Sequence, residues 1–134
     1  MNSTSSRPSS NRWIRGLAVL GALNGLAAVG IAAAGAHALA PYFVERGVAW
    51  FALAGQLHLA HALALFAAAW MCERYPRSRL APLAGLCFLA GIVLFSGSLY
   101  FRAVGGEGWF AHAAPLGGSA WLVGWLALAL AAWI

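Results

Sequence analysis

The stretch AWFALAGQLHLAHALALFAAAWM, Ala49–Met71, decides the fold. It contains no Asp, Glu, Lys or Arg. A helix needs about 20 apolar residues to cross the ~30 Å hydrocarbon layer, and this run reaches that length. It shows no sustained polar–apolar alternation, so it cannot be a strand of a membrane barrel. An α-helix remains, because only a helix satisfies its own backbone groups in lipid. Three further runs of the same kind flank it: Gly16–Leu39, Leu80–Phe101 and Ala111–Ile134. Arg102 lies just past the third, and no charged residue follows Glu107. The expected architecture is an all-α polytopic membrane protein with four transmembrane helices. Its connections are short, so sequence neighbours pack antiparallel in an up-down-up-down bundle.

Composition agrees with this reading. Of 134 residues, 63% are hydrophobic and 8% charged, more apolar surface than a soluble domain of this size can bury. Lipid removes the difficulty. The net charge of +5 comes from eight arginines, which sit in short connections rather than on one face. That distribution argues against a nucleic-acid partner and bears on topology instead. Arg7, Arg12 and Arg15 precede the first span, and Arg74, Arg77 and Arg79 join the second to the third. Only Arg46 and Arg102 fall in the other two connections. The positive-inside rule then places both termini in the cytoplasm, N-in and C-in. Arginine without lysine, beside abundant Ala and Gly, fits a GC-rich bacterial genome, and the membrane is then the cell inner membrane.

Met1–Arg12 is rich in Ser, Asn, Pro and Arg and is expected to form a disordered cytoplasmic tail ahead of a transmembrane domain over 13–134. Ala38-Leu39-Ala40 resembles a signal-peptidase site, but the preceding apolar run exceeds the usual ~7–15 residues of a signal sequence, so the first span is expected to be retained. Aromatic residues mark the two lipid–water boundaries. Trp13, Trp70, Tyr75 and Trp133 lie on the inner side; Tyr42, Phe43, Trp50, Phe51, Tyr100, Phe101, Trp109 and Phe110 lie on the outer side. Cys72 and Cys87 read as reduced, packed thiols. Pro115, with Gly117 and Gly118, opens the fourth span and leaves His112 in the loop.

Small residues supply the expected packing seams. Gly21, Asn24 and Gly25 share one face of the first span in a small-xxx-small pattern, with Gly118 and Gly124 serving the fourth. Ala81-xxx-Gly85 and Ala120-xxx-Gly124 offer the same pattern. An intramolecular seam and a homodimer face are both open.

Candidate chemistry is sparse. No carboxylate lies in any span, so an acidic proton relay has no parts. His58 and His61 share one face of the second span, whereas His37 and His112 lie near outer ends. Bis-histidine haem fails on depth: His37 and His58 differ by about 10 Å at ~1.5 Å per residue. A metal site of His37 and His112, with His58 as a third ligand, is geometrically easier but lacks thiolate or carboxylate ligands at suitable spacing. Ser96 and Ser98 lack an orienting carboxylate for nucleophilic work. No catalytic residue, metal or cofactor is therefore expected. His58 and His61 are expected to be neutral and bonded across helices to Ser96, Ser98 or Asn24. Gln56 lies ~140–160° around the helix from them and addresses another neighbour.

Several segments resemble signatures of one family. They are Gly35-Ala36-His37-Ala38-Leu39, Gln56-Leu57-His58-Leu59-Ala60-His61-Ala62-Leu63-Ala64-Leu65, Leu94-Phe95-Ser96-Gly97-Ser98-Leu99-Tyr100, and Pro115-Leu116-Gly117-Gly118 followed by Gly124-Trp125. In order and spacing they resemble the domain of unknown function 423 group, which includes YgdD-like bacterial inner-membrane proteins and eukaryotic transmembrane protein 256. The resemblance covers roughly Arg15–Trp133. It implies four spans and a bacterial inner membrane, and it carries over no reaction. His37, Gln56, His61, Ser96, Ser98, Tyr100 and Gly118 match the family pattern. Leu57 and His58 depart from it, so the resemblance does not make His58 a shared functional residue.

Two functions follow as expectations. The first is a structural or accessory component that packs in the bilayer against a larger membrane complex or a copy of itself. The second is a small-molecule or ion conduit or binder built on a polar cluster of His37, Gln56, His61, Ser96 and Ser98.

Overall fold

The structure is a computed structural model that describes residues 8–133. Four long apolar helical spans cross it: Asn11–His37, Gly47–Arg74, Leu80–Ala103 and Ala114–Trp133. Helix α1 runs from Pro8 to His37 and α2 from Gly47 to Arg74. The third span is composite: α3 (Leu80–Gly91), a π-helical turn (Ile92–Ser96) and α4 (Gly97–Ala103). Helix α5 covers Ala114–Trp133. Short 3-10 turns at Ala40–Tyr42 and Phe110–His112 lie in the two connections at one end of the bundle. No strand occurs among the described residues.

The expected disordered tail falls largely on Met1–Arg7, outside the described residues. Pro8–Arg12, expected to belong to that tail, instead begins α1. Proline at the first helical position loses no hydrogen bond there, which suits it to starting the helix. The fourth span starts at Ala114, one residue before the Pro115 anticipated from sequence, and His112 sits in the preceding turn.

The spans pack largely in chain order. Helix α1 lies mainly on α2, α2 lies on the third span, and α5 lies on the third span. The core therefore sits between α2, α3 and α5. It contains Leu65, Ala68, Cys72, Ala84, Phe88, Ile92 and Trp121, with Leu17 reaching in from α1. The pattern of residue size is informative. The interior is dominated by Ala and Gly, while large apolar side chains point outward; Leu26 is 72% exposed and Leu122 74% exposed. In water such a surface would drive aggregation. In lipid it is ordinary, because close packing of small residues, rather than hiding large ones, holds membrane helices together.

Glycines set those close approaches. A side chain at Gly21 would meet the Phe66 ring and the Ala62 carbonyl of α2, so this face is an intramolecular seam. Gly25, expected to share it, has nothing within 4 Å of its would-be Cβ. On the other side, Gly124 packs against Phe88 and Cys87, Gly91 against the Trp121 indole, and Gly117 against the backbone at Phe95. Gly118 is only in ordinary contact with Phe95, at 3.7 Å, so Gly117 rather than Gly118 forms the tight crossing.

The third span ends in a Schellman motif. Gly106 N–H donates to the Phe101 carbonyl and Gly105 N–H to that of Arg102, at 2.9 and 3.0 Å. Gly105 takes φ 85°, the left-handed conformation this cap requires and that glycine adopts without penalty. The Val44 N–H donates to the Ala103 carbonyl at 3.0 Å and ties the first connection to this cap.

Candidate functional site

The polar side chains of the spans form two closed arrangements on α2, one turn apart. The first centres on His58. Its Nε2 lies 3.2 Å from Asn24 Oδ1 of α1, and its Nδ1 lies 3.3 Å from the Tyr100 hydroxyl of α4. The Asn24 amide is oriented by its own Nδ2, which donates to the Leu20 carbonyl at 2.8 Å. Its oxygen therefore faces the histidine and can only accept. Nε2 must carry the ring proton, and the bare Nδ1 of a neutral ring accepts from the Tyr100 hydroxyl. One histidine thus joins three spans.

The second arrangement centres on His61. Its Nδ1 lies 2.8 Å from the Leu57 carbonyl one turn earlier, so Nδ1 carries the proton. The remaining nitrogen, Nε2, accepts from the Trp125 indole N–H at 3.2 Å. The Trp121 indole stacks on the imidazole at 3.8 Å between centroids and 3° between planes. Phe88 closes another side at 5.7 Å. Trp121 in turn donates its indole N–H to the Phe88 carbonyl at 3.1 Å. That carbonyl, which also accepts from the Ile92 backbone N–H, lies one turn ahead of the π turn.

Ser96 and Ser98 do not reach either histidine in this network. Ser96 Oγ donates to the Ala54 carbonyl of α2 at 3.0 Å, pinning the π turn to α2. Ser98 Oγ donates back to Phe95 at 2.9 Å. Of the three cross-helix partners expected for the histidines, Asn24 alone serves, and it serves His58. The others are aromatic: Tyr100, Trp121 and Trp125. Tyr100 and Phe51, expected at the lipid–water boundary, depart from it: Tyr100 turns inward to His58, and Phe51 packs on Tyr100 at 5.0 Å. The sequence carried a signal for Trp121 and Trp125, since indoles in mid-span must find acceptors when buried.

His37 is exposed at the C-terminal end of α1. Gln56 is also exposed and lines a groove of about 530 Å³ between α1 and α2, beside Ala32, Phe43, Phe51 and Gly55. The structure therefore distributes His37, Gln56, His61, Ser96 and Ser98 over separate environments, with no hydrogen bond joining any two of them. Among the described residues, no group of three or more His, Cys, Asp or Glu is placed to hold a metal ion. Every buried side-chain nitrogen and oxygen among them has a hydrogen-bond partner.

A second pocket, of about 440 Å³, opens at the end of the bundle that carries the two 3-10 turns. It is lined by Trp50, Arg102, Glu107, His112 and the Gly105–Gly108 turn. Arg102 lies over the Trp50 ring at 4.2 Å.

Comparison with known proteins gives relatives along most of the chain. Residues 31–118 match the model of a family described as Protein of unknown function (DUF423). The UPF0382 membrane protein YwdK of Bacillus subtilis is 38% identical over 114 residues, covering 85% of this chain and 93% of that protein. A UPF0382 membrane protein of Haemophilus influenzae is 32% identical, covering 81% of this chain and 86% of the relative. One from Staphylococcus epidermidis is 34% identical, covering 84% and 91% respectively. No solved structure matches.

Proposed function

We propose a function from the premise that this chain belongs to the DUF423 family, whose relatives are membrane proteins of unassigned role. It is a four-span protein of the bacterial inner membrane, with both termini in the cytoplasm. It acts as a structural or accessory component rather than as an enzyme. One observation carries the reading: the intramembrane polar groups are spent on each other. Both nitrogens of His58 and both of His61 are committed to protein partners, and Ser96 is committed to the Ala54 carbonyl. A neutral imidazole whose one proton and one lone pair are both engaged pins helices together; it does not wait for a substrate. Such bonds are worth ~0.6–2 kcal/mol each in lipid, enough to fix how the spans register. The lipid-facing surfaces of α1 and α5 are then the surfaces left for a neighbour in a larger complex.

A conduit or small-ligand binder built on His37, Gln56, His61 and Ser96 is the second reading. The π turn at Ile92–Ser96 favours it, because such turns gather at functional sites. One experiment separates the two. A photo-crosslinking residue is placed at Leu26 or Leu122 in the native membrane. The accessory reading expects one reproducible membrane-protein adduct. It fails if no adduct forms and the reconstituted protein passes a solute flux that His61→Ala or Ser96→Ala abolishes without unfolding it.

A further inference from the structure

The pocket at the end of the bundle lies outside the network just assigned, and its charges follow a pattern of their own. Six of the eight arginines lie at or before Arg15 or between Arg74 and Arg79, where α2 passes into α3. The two others, Arg46 and Arg102, converge on one ring: their guanidinium carbons lie 5.8 and 4.2 Å from the Trp50 centroid. Stacking holds a guanidinium flat on an indole while its N–H edge stays free to bind, and that edge matches the oxygens of a phosphate. Glu107 lines the same pocket as Arg102, so the pocket presents charges of both signs.

The frame around them is built. The Schellman cap at Gly105 and Gly106, the Val44–Ala103 bond and the His112 Nδ1 bond to the Gly108 carbonyl at 3.0 Å fix the walls. Trp109, next in the chain to the lining residue Gly108, is 77% exposed, as aromatic residues are at the headgroup level of a bilayer. The volume suits a small ligand.

We propose that this pocket binds a phosphoethanolamine group, its phosphate on Arg102 and its ammonium on Glu107. A zwitterion satisfies both signs at once. A phosphate without an ammonium leaves Glu107 opposed to it. The group comes either from a phospholipid of the adjoining leaflet or from a free solute, and the proposal goes beyond the accessory reading without depending on it.

Native mass spectrometry of the full chain tests it, from micelles doped equally with phosphatidylethanolamine and phosphatidylglycerol. The wild type retains the ethanolamine lipid about fivefold or more over the glycerol lipid. Glu107→Gln, in an exposed turn where folding is not at stake, brings the two to parity. Arg102→Gln, with its helical circular dichroism unchanged, lowers retention of both by about tenfold, as loss of a phosphate-binding fork requires. Excess soluble O-phosphoethanolamine identifies the source: displacement of the lipid assigns the site to the free group, and persistence assigns it to the lipid. Equal retention of the two lipids by the wild type overturns the proposal, as does an Arg102→Gln or Glu107→Gln variant that binds like the wild type.

Discussion

The two sides of α2 are held by different physics. Towards α1 the contact is uneven: Gly21 closes on Phe66 and Gly35 on Phe51, but Gly25 between them meets nothing, a groove opens beside Gln56, and one polar link, Asn24 to His58, spans the seam. Towards α5 the packing is dense and aromatic. Trp121 lies flat on His61, Phe88 and Phe95 close around it, and glycines on α3 and α5 admit the rings. The same helix thus has a face interlocked by stacked rings and a face where tight and open stretches alternate around one hydrogen bond. Close packing supplies most of the stability on the first, and a polar pin supplies register on the second.

That contrast is broken most severely at Trp121. Trp121→Ala removes a buried indole, its stack on His61 and its bond to Phe88, and is expected to cost about 3–5 kcal/mol in a reversible unfolding titration in mixed micelles. Gly117→Val comes next. Its branched side chain is driven into the Phe95 backbone, which cannot yield as a flexible side chain does, for about 1–3 kcal/mol by the same titration. On the α1 side the effects shrink. A double-mutant cycle of Asn24→Leu and His58→Leu should report a coupling near 0.6 kcal/mol, and no more than about 2. Smallest is Gly25→Ala, which meets open space and removes a helix-weakening glycine; it is expected to be neutral or to stabilise by up to about 1 kcal/mol. A Gly25→Ala cost as large as that of Gly117→Val would erase the distinction between the two seams.

How much of this was legible in the sequence follows from the range over which each feature is determined. The spans were legible, because solubility in lipid is a property of composition over about 20 residues. The shared face of His58 and His61 was legible, because helical periodicity is local. Their partners were not. Whether His61 meets a serine or a tryptophan depends on the rotation of α5 against α3, which Gly91, Gly117 and Gly124 set together through contacts distant in the chain. The π turn was hidden for the same reason, since its neighbour Trp121 lies on another span. Tyr100 misled because a tyrosine near a span end ordinarily seeks the interface; here an unprotonated histidine nitrogen at similar depth offers its hydroxyl an acceptor. Gly25 misled in the opposite sense: the small-xxx-small pattern marks a face that can be approached, not one that is.

The central claim is that the intramembrane polar groups are closed on one another, and the ring protons of α2 report it directly. Nitrogen chemical shifts of histidine-labelled protein in lipid bilayers should show two neutral rings of opposite tautomer, His58 protonated at Nε2 and His61 at Nδ1. Doubly protonated rings, or the two tautomers exchanged, would contradict the account.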